Sequence, residues 1–166
     1  IARPGGNVTG MAFSPGLELF GKQFEFLRQI APAVTRLAWI GSTQGRETAG
    51  YVSSLEAAAR GLGFEFGYHI ADRSEDFDPL FASLLAARTQ AIATVGNPLT
   101  ERESKRIVEF ANRNRLPSAF GQKVFARVGG LVAYSADAAA LTRQSALYID
   151  KIFRGTRPGD LPVEQP

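Results

Sequence analysis

Short apolar runs alternate with longer amphipathic stretches along the chain, and this alternation predicts strands separated by helices. From Leu17 to Ile30, apolar residues fall at Leu17, Phe20, Phe24 and Leu27, with Lys22, Glu25 and Arg28 on the other side. That spacing is one helical stripe, and Pro32 stops it. Leu37-Ala38-Trp39-Ile40 is a continuous apolar run ending in Gly41, the pattern of a strand buried on both faces. A helix is predicted from Glu47 to Leu62, with Tyr51, Leu55, Ala59 and Leu62 in register and Gly63 as its stop.

The pattern then repeats. Phe64 to Ile70 reads as a strand with Phe64, Phe66 and Tyr68 on one side. Asp78-Pro79 has the form of an N-cap followed by proline at the first helical position, opening a helix to Ala87. Ala91 to Val95 is the next buried strand. Asn97 and Thr100 are alternative caps for one long helix ending near Arg115, supported by Glu101/Lys105 and Glu109/Arg113 in i,i+4 order. Ser118-Ala119-Phe120 and Leu131 to Tyr134 are two more short strands, flanking a helix from Gln122 to Arg127 that Gly129-Gly130 closes. Asp137 to Phe153 forms the last helix, and the proline-rich tail from Arg157 to Pro166 is extended. Five main strands separated by helices predict a three-layer, doubly wound, mostly parallel α/β sheet in the order 2-1-3-4-5. Asn7 to Phe13 serves as an extra edge or lead-in strand, and with no internal linker the whole of residues 1–166 is one domain.

Composition narrows the class. With 166 residues, 45% hydrophobic and 21% charged, the chain has enough apolar content for a core of its own, which excludes a disordered tail and a stapled miniprotein. Nineteen Lys+Arg against sixteen Asp+Glu give a net charge of +3, mostly scattered arginine, so no basic stripe suggests nucleic acid. Zero cysteines remove disulfides, thiol nucleophiles and thiolate metal sites, and suit an exported chain as well as a cytosolic one. No apolar run approaches the roughly 18 residues that span a bilayer.

In a doubly wound sheet, ligands bind at the carboxyl ends of the strands. The segments there are Gly41-Ser42-Thr43-Gln44-Gly45, Gly96-Asn97-Pro98-Leu99, Gly121-Gln122 and Ser135-Ala136-Asp137. They are small, hydroxyl- or amide-bearing, and each introduces a helix whose first N–H groups suit a carboxylate or another anion. Asp137 can instead accept from an ammonium group, while Phe120 and Tyr134 can stack on an apolar ligand. Helix capping explains Ser42, Thr43, Asn97 and Asp137 equally well, and Phe120 and Tyr134 can be core. His69 reads as structural. The acidic group Asp72, Glu75, Asp76 and Asp78 lacks the spacing of a calcium loop and reads as solvated. Arg102, Lys105, Arg106, Arg113 and Arg115 interleave with glutamates as an outer helix face. Neither a G-x-S-x-G elbow nor a G-x-x-x-x-G-K-[ST] loop occurs, and nothing points to catalysis, a cofactor or a metal.

Several phrases in fixed order carry a family likeness. They are Ala2-Arg3-Pro4-Gly5-Gly6-Asn7-Val8-Thr9-Gly10, Gly21-Lys22, Leu116-Pro117, Gly129-Gly130-Leu131-Val132-Ala133-Tyr134, Tyr148 to Ile152 with Gly155 and Pro158, and Asp160-Leu161-Pro162-Val163-Glu164-Gln165-Pro166. Together they resemble the second half of the ABC-transporter substrate-binding proteins of the type I periplasmic-binding fold, in the subfamily associated with tryptophan and other aromatic amino acids. The resemblance implies one lobe of a two-lobe protein, its first lobe and export signal upstream. It implies capture of a small molecule between lobes by hinge closure, and delivery to a membrane permease without chemistry. It places the protein in the periplasm or outside the cell, with a lipid anchor and a homodimer of the isolated lobe as open options. Matched loop by loop, the ligand residues it implies are Ser42, Thr43, Gln44, Asn97, Phe120, Tyr134, Ser135 and Asp137. Gly41-Ser42-Thr43-Gln44 departs from the Asn-Pro turns frequent there, and Ser135-Ala136-Asp137 stands where a glycine often follows the tyrosine.

Two other readings share the fold. One is the effector-binding domain of a repressor-like regulator, which an upstream helix-turn-helix would reveal. The other is a Rossmann-type enzyme, disfavoured because the first clear strand leads to Gly-Ser-Thr-Gln-Gly and not G-x-G-x-x-G.

Overall fold

The computed structural model describes residues 4–11, 17–135 and 138–164. In chain order the elements are β1 (Gly10–Met11), α1 (Leu17–Ile30), β2 (Arg36–Gly41), α2 (Thr43–Glu47), α3 (Tyr51–Gly61), β3 (Glu65–Ile70), α4 (Phe77–Ala86), β4 (Ala91–Thr94), α5 (Pro98–Arg102), α6 (Ser104–Arg113), β5 (Ser118–Phe120), α7 (Lys123–Arg127), β6 (Val132–Ala133), α8 (Ala138–Phe153) and β7 (Val163–Glu164). Single 3-10 turns lie at Ser74–Asp76 and Pro158–Asp160. Residues 17–135 form one compact unit, and the described residues among 1–16 and 136–166 form another.

The larger unit is a five-stranded parallel sheet in the order β3-β2-β4-β5-β6, which is the predicted 2-1-3-4-5. Strand side chains alternate between two cores. Leu37 and Trp39 face one layer with Phe20, Phe24 and Leu27 of α1 and Leu55 and Ala59 of α3. Ala38 and Ile40 face the other with Phe77, Leu80 and Leu84 of α4, Ile107, Val108 and Ala111 of α6, and Phe125 of α7. Trp39 is fully buried, with Phe20 and Phe24 edge-on to its ring at 5.4 and 5.8 Å. The neighbouring strands present alanine on that face, Ala91, Ala93 and Ala119, and the small side chains leave volume for the indole. Thr94, a buried polar side chain, is satisfied by the Ile40 carbonyl at 2.7 Å.

Four local expectations change. The single helix from Glu47 to Leu62 is two, because Ser42 caps α2 directly after β2 and Gly50, at φ 74°, separates it from α3. Asp78-Pro79 lies inside the first turn of α4. That helix begins at Phe77, led in by the 3-10 turn whose Asp76 carboxylate accepts from the Asp72 and Arg73 N–H groups at 2.9 Å each. The long helix after β4 is divided at Glu103 into α5 and α6. The N-terminal segment does not join the main sheet: β1 pairs with β7, Gly10 opposite Val163 and Met11 opposite Glu164, while Ala12 and Phe13 lie outside the described residues.

In the smaller unit, the Thr9 hydroxyl lies 3.0 Å from the Leu161 carbonyl and 3.2 Å from that of Pro162. The β7 carboxylate of Glu164 accepts from Tyr148 of α8 at 2.9 Å and from Gln144.

Candidate functional site

All five strands of the larger unit run parallel, so their carboxyl ends lie along one edge of the sheet. The loops after β2 and β4 meet there. With α3 and β3 they line a concavity of about 170 Å³, formed by Gly41, Ser42, Gln44, Gly45, Thr48, Tyr51, Tyr68, Val95 and Asn97. No charged side chain is among these. The volume is close to that of a cavity holding one benzene-sized ring.

Each polar member has a defined local role. Ser42 is the N-cap of α2, its Oγ accepting from the Gly45 N–H at 3.2 Å. Asn97 caps α5 reciprocally: its Oδ1 accepts from the Thr100 N–H at 2.8 Å, and its own N–H donates to the Thr100 hydroxyl at 3.0 Å. The Gln44 carbonyl accepts from the Thr48 N–H at 3.1 Å and hydroxyl at 2.8 Å. The Tyr68 hydroxyl donates to the Ser42 carbonyl at 2.9 Å and accepts from the Ser42 N–H at 3.2 Å. Burial, with Tyr68 nearby, pushes the Tyr51 phenol far above its usual range. Burial also raises Tyr68, against the lowering effect of its bond to Ser42. Both rings are therefore neutral phenols at physiological pH.

Thr43 does not line this concavity. Its N–H and hydroxyl both donate to the Asp72 carboxylate, at 2.9 and 2.6 Å. The first turn of α2, expected to receive a ligand anion, thus holds a carboxylate from the loop after β3.

A larger, more open groove of about 440 Å³ runs along edge strand β3 beside α4, lined by Arg46, Tyr68, His69, Ile70, Asp76, Pro79, Leu80 and Ser83. Asp76 is engaged in its turn, and the Ser83 hydroxyl donates to the Leu80 carbonyl at 2.7 Å. Burial lowers the His69 imidazole below its ordinary value. The smaller concavity is the better candidate because the segments after β2 and β4 meet in it, whereas the groove touches edge strand β3 alone among the strands.

A family model described as ABC transporter substrate binding protein matches residues 1–166. The chain belongs to this family. No curated protein matches it in sequence. Among solved structures, this substrate-binding family member is similar to the ABC domain in complex with L-Trp from Streptococcus pneumonia, with TM-score 0.79 and 19% identity, covering 99% of this chain and 55% of that one. It is also similar to a conserved domain protein from Vibrio cholerae, with TM-score 0.79 and 20% identity over 98% of this chain and 54% of that one. A third is the ligand-free, open structure of a substrate binding protein with adhesive properties from Clostridium difficile, with TM-score 0.74 and 20% identity over 99% and 54%. At these identities the likeness is one of fold, and the chain spans about half the length of each of these proteins.

In this family member, three of the eight residues singled out from sequence, Ser42, Gln44 and Asn97, come together around the concavity, with Thr43 beside them. Phe120 is fully buried and stacked on Phe125 at 4.4 Å, so its ring belongs to the core beneath the tips. Tyr134 follows β6, two strands from β4. It is 38% exposed, its ring edge-on to Phe26 at 5.5 Å, and Ser135 follows it half-buried. Asp137 lies outside the described residues. Sequence reasoning missed Tyr51 and Tyr68, which periodicity assigns to apolar faces, and Gln23, a fully buried amide on α1 that reaches the Tyr134 carbonyl at 3.3 Å. The acidic group is structural: Asp72 and Asp76 hold turns, and Asp78 pairs with Arg106 at 2.5 Å. Among the described residues no three His, Cys, Asp or Glu side chains are grouped to hold a metal, and no helix is long and apolar enough to cross a membrane.

Proposed function

We propose that this chain is the second ligand-binding lobe of a two-lobe substrate-binding protein, working in the periplasm or outside the cell. It captures an amino acid, with an aromatic one favoured, by hinge closure and passes it to the permease of an ABC importer. The observation that carries this reading is the concavity at the strand tips, where Ser42, Gln44, Thr48 and Asn97 set neutral polar groups beside the rings of Tyr51 and Tyr68. Its volume of about 170 Å³ falls below the roughly 300 to 1,000 Å³ of a complete small-molecule pocket, which suits one jaw holding part of a ligand. The uncharged lining fits the side-chain end of an amino acid, the ionised groups being met from the opposing lobe. Tyr134 and Ser135 extend the same jaw, and Thr43 and Phe120 support it.

The test is a thermal-shift screen of the two-lobe parent against the twenty amino acids and small carboxylates, L-tryptophan included. A ligand present at a hundred times its Kd adds about 2.7 kcal/mol of stability. Stabilisation by an amino acid, with the ligand recovered unchanged, is the expected result. Turnover, or stabilisation by none of them, overturns the reading.

A further inference from the structure

Gln23 occupies a place where packing alone would put leucine or methionine. It lies in the stripe of α1 made by Phe20, Phe24 and Leu27, three residues after Phe20 and four before Leu27, and is 0% exposed. Its Nε2 donates to the Tyr134 carbonyl at 3.3 Å, while its buried Oε1 has no hydrogen-bond partner. A half-satisfied buried amide costs stability that an apolar side chain of the same size would not. The amide also lies close to the tip of β5, since a Cβ on Gly121 would lie 3.3 Å from the Gln23 Nε2. One helix therefore fixes Tyr134 twice. Gln23 holds its carbonyl and Phe26, three residues on and on the adjoining face, holds its ring. The remaining backbone anchor is the Tyr134 N–H, which donates to the Phe120 carbonyl at 2.9 Å.

We propose that Gln23 is a positioning residue that orients Tyr134 within the ligand-facing jaw, trading stability for a fixed ring. This deepens, and rests on, the reading of the strand tips as a solute-binding jaw. A purely structural residue would move stability and Tyr134 together, whereas a positioning residue separates them.

The experiment compares the chain with its Gln23→Met variant, labelled with ¹³C-tyrosine. The sequence has four tyrosines, and the Tyr134 signal is identified as the one lost in Tyr134→Phe. The expected result is a displaced Tyr134 ring signal, unmoved Tyr51 and Tyr68 signals, and a melting midpoint unchanged or raised. An unmoved Tyr134 signal, or a lowered midpoint with all tyrosine signals shifting, overturns the proposal. Gln23→Asn keeps the amide but shortens its reach, and is expected to displace Tyr134 as well; it decides the question should the methionine variant fail to fold. Calorimetry with L-tryptophan on the two-lobe parent then reads affinity, with Kd rising about three- to tenfold in Gln23→Met, the range of one lost hydrogen bond. Unchanged Kd beside a displaced Tyr134 overturns the jaw role. Absence of L-tryptophan binding by the native parent counts against that ligand and leaves the ring measurement to decide for or against Gln23.

Discussion

The Tyr68 hydroxyl closes on both backbone groups of Ser42, donating to its carbonyl at 2.9 Å and accepting from its N–H at 3.2 Å. A strand side chain thereby fixes the residue that caps α2 and lines the concavity. The ring reaches this position only because the backbone beneath it lacks side chains. A Cβ on Gly41 would lie 2.2 Å from the Tyr68 hydroxyl oxygen and 2.3 Å from Cζ, and one on Gly45 would lie 2.5 Å from that oxygen. All three distances are far inside van der Waals contact, so the two glycines and the tyrosine form one unit.

Gly41→Ala is therefore expected to destabilise the protein by about 1–3 kcal/mol, the usual range for overpacking. In a Tyr68→Ala background the ring is gone and most of that cost should vanish, giving strong non-additivity. Urea denaturation of the two single variants and the double variant measures it. Additive costs would mean that the glycine serves some purpose other than admitting the ring.

Asn97 carries both a structural and a candidate ligand role, and substitution separates them. Asn97→Ala removes the reciprocal cap with Thr100 and should cost about 1 kcal/mol. Asn97→Asp keeps an oxygen for the Thr100 N–H but replaces the side-chain amide with charge, so stability is largely retained. Loss of amino-acid binding by the two-lobe parent in Asn97→Asp, at near-native urea midpoint, identifies the amide as a ligand contact.

Much of this architecture is written locally in the chain. The runs at Leu37–Ile40 and Ala91–Val95 declare buried strands because both faces need apolar side chains, and the helices between them enforce parallel order. Asn97 reads as a cap from its own neighbourhood. The site depends on pairings between distant segments, which no local pattern encodes. Tyr68 reaches Ser42 only because β2 and β3 align Trp39 with Tyr68, and Thr43 meets Asp72 through the loops after the same two strands. Phe120 stands at a strand end, where exposure depends on what covers it, and Phe125 of α7 does so. Gln23 left one legible mark, a polar residue at helical spacing inside an apolar stripe.

Phe120 and Tyr134 should behave oppositely on substitution. Phe120→Ala removes a fully buried ring stacked on Phe125, with an expected cost of about 3–5 kcal/mol. The half-conservative Phe120→Leu should lower the urea midpoint while leaving ligand affinity of the folded parent near its native value. Tyr134→Ala touches a ring 38% exposed and should change stability less and affinity more. The reverse ranking, measured by denaturation and calorimetry, would place the ligand against Phe120.

Acid sensitivity should arrive in two separable steps. The His69 imidazole, half-buried on β3, has its pKa lowered from 6.5 by burial, so below that value the unfolded chain binds the proton more readily than the folded one. Stability therefore rises with pH between the folded pKa and about 6.5, and His69 adds no further slope above. Asp76 acts lower on the scale. The N–H groups of Asp72 and Arg73 hold its carboxyl below the ordinary 3.8, so its contribution is complete above that value and is lost as pH falls through the folded pKa. Urea midpoints taken from pH 3 to 8 should lose the upper step in His69→Gln and the lower one in Asp76→Asn. An upper step that persists without the imidazole would assign the slope to another group.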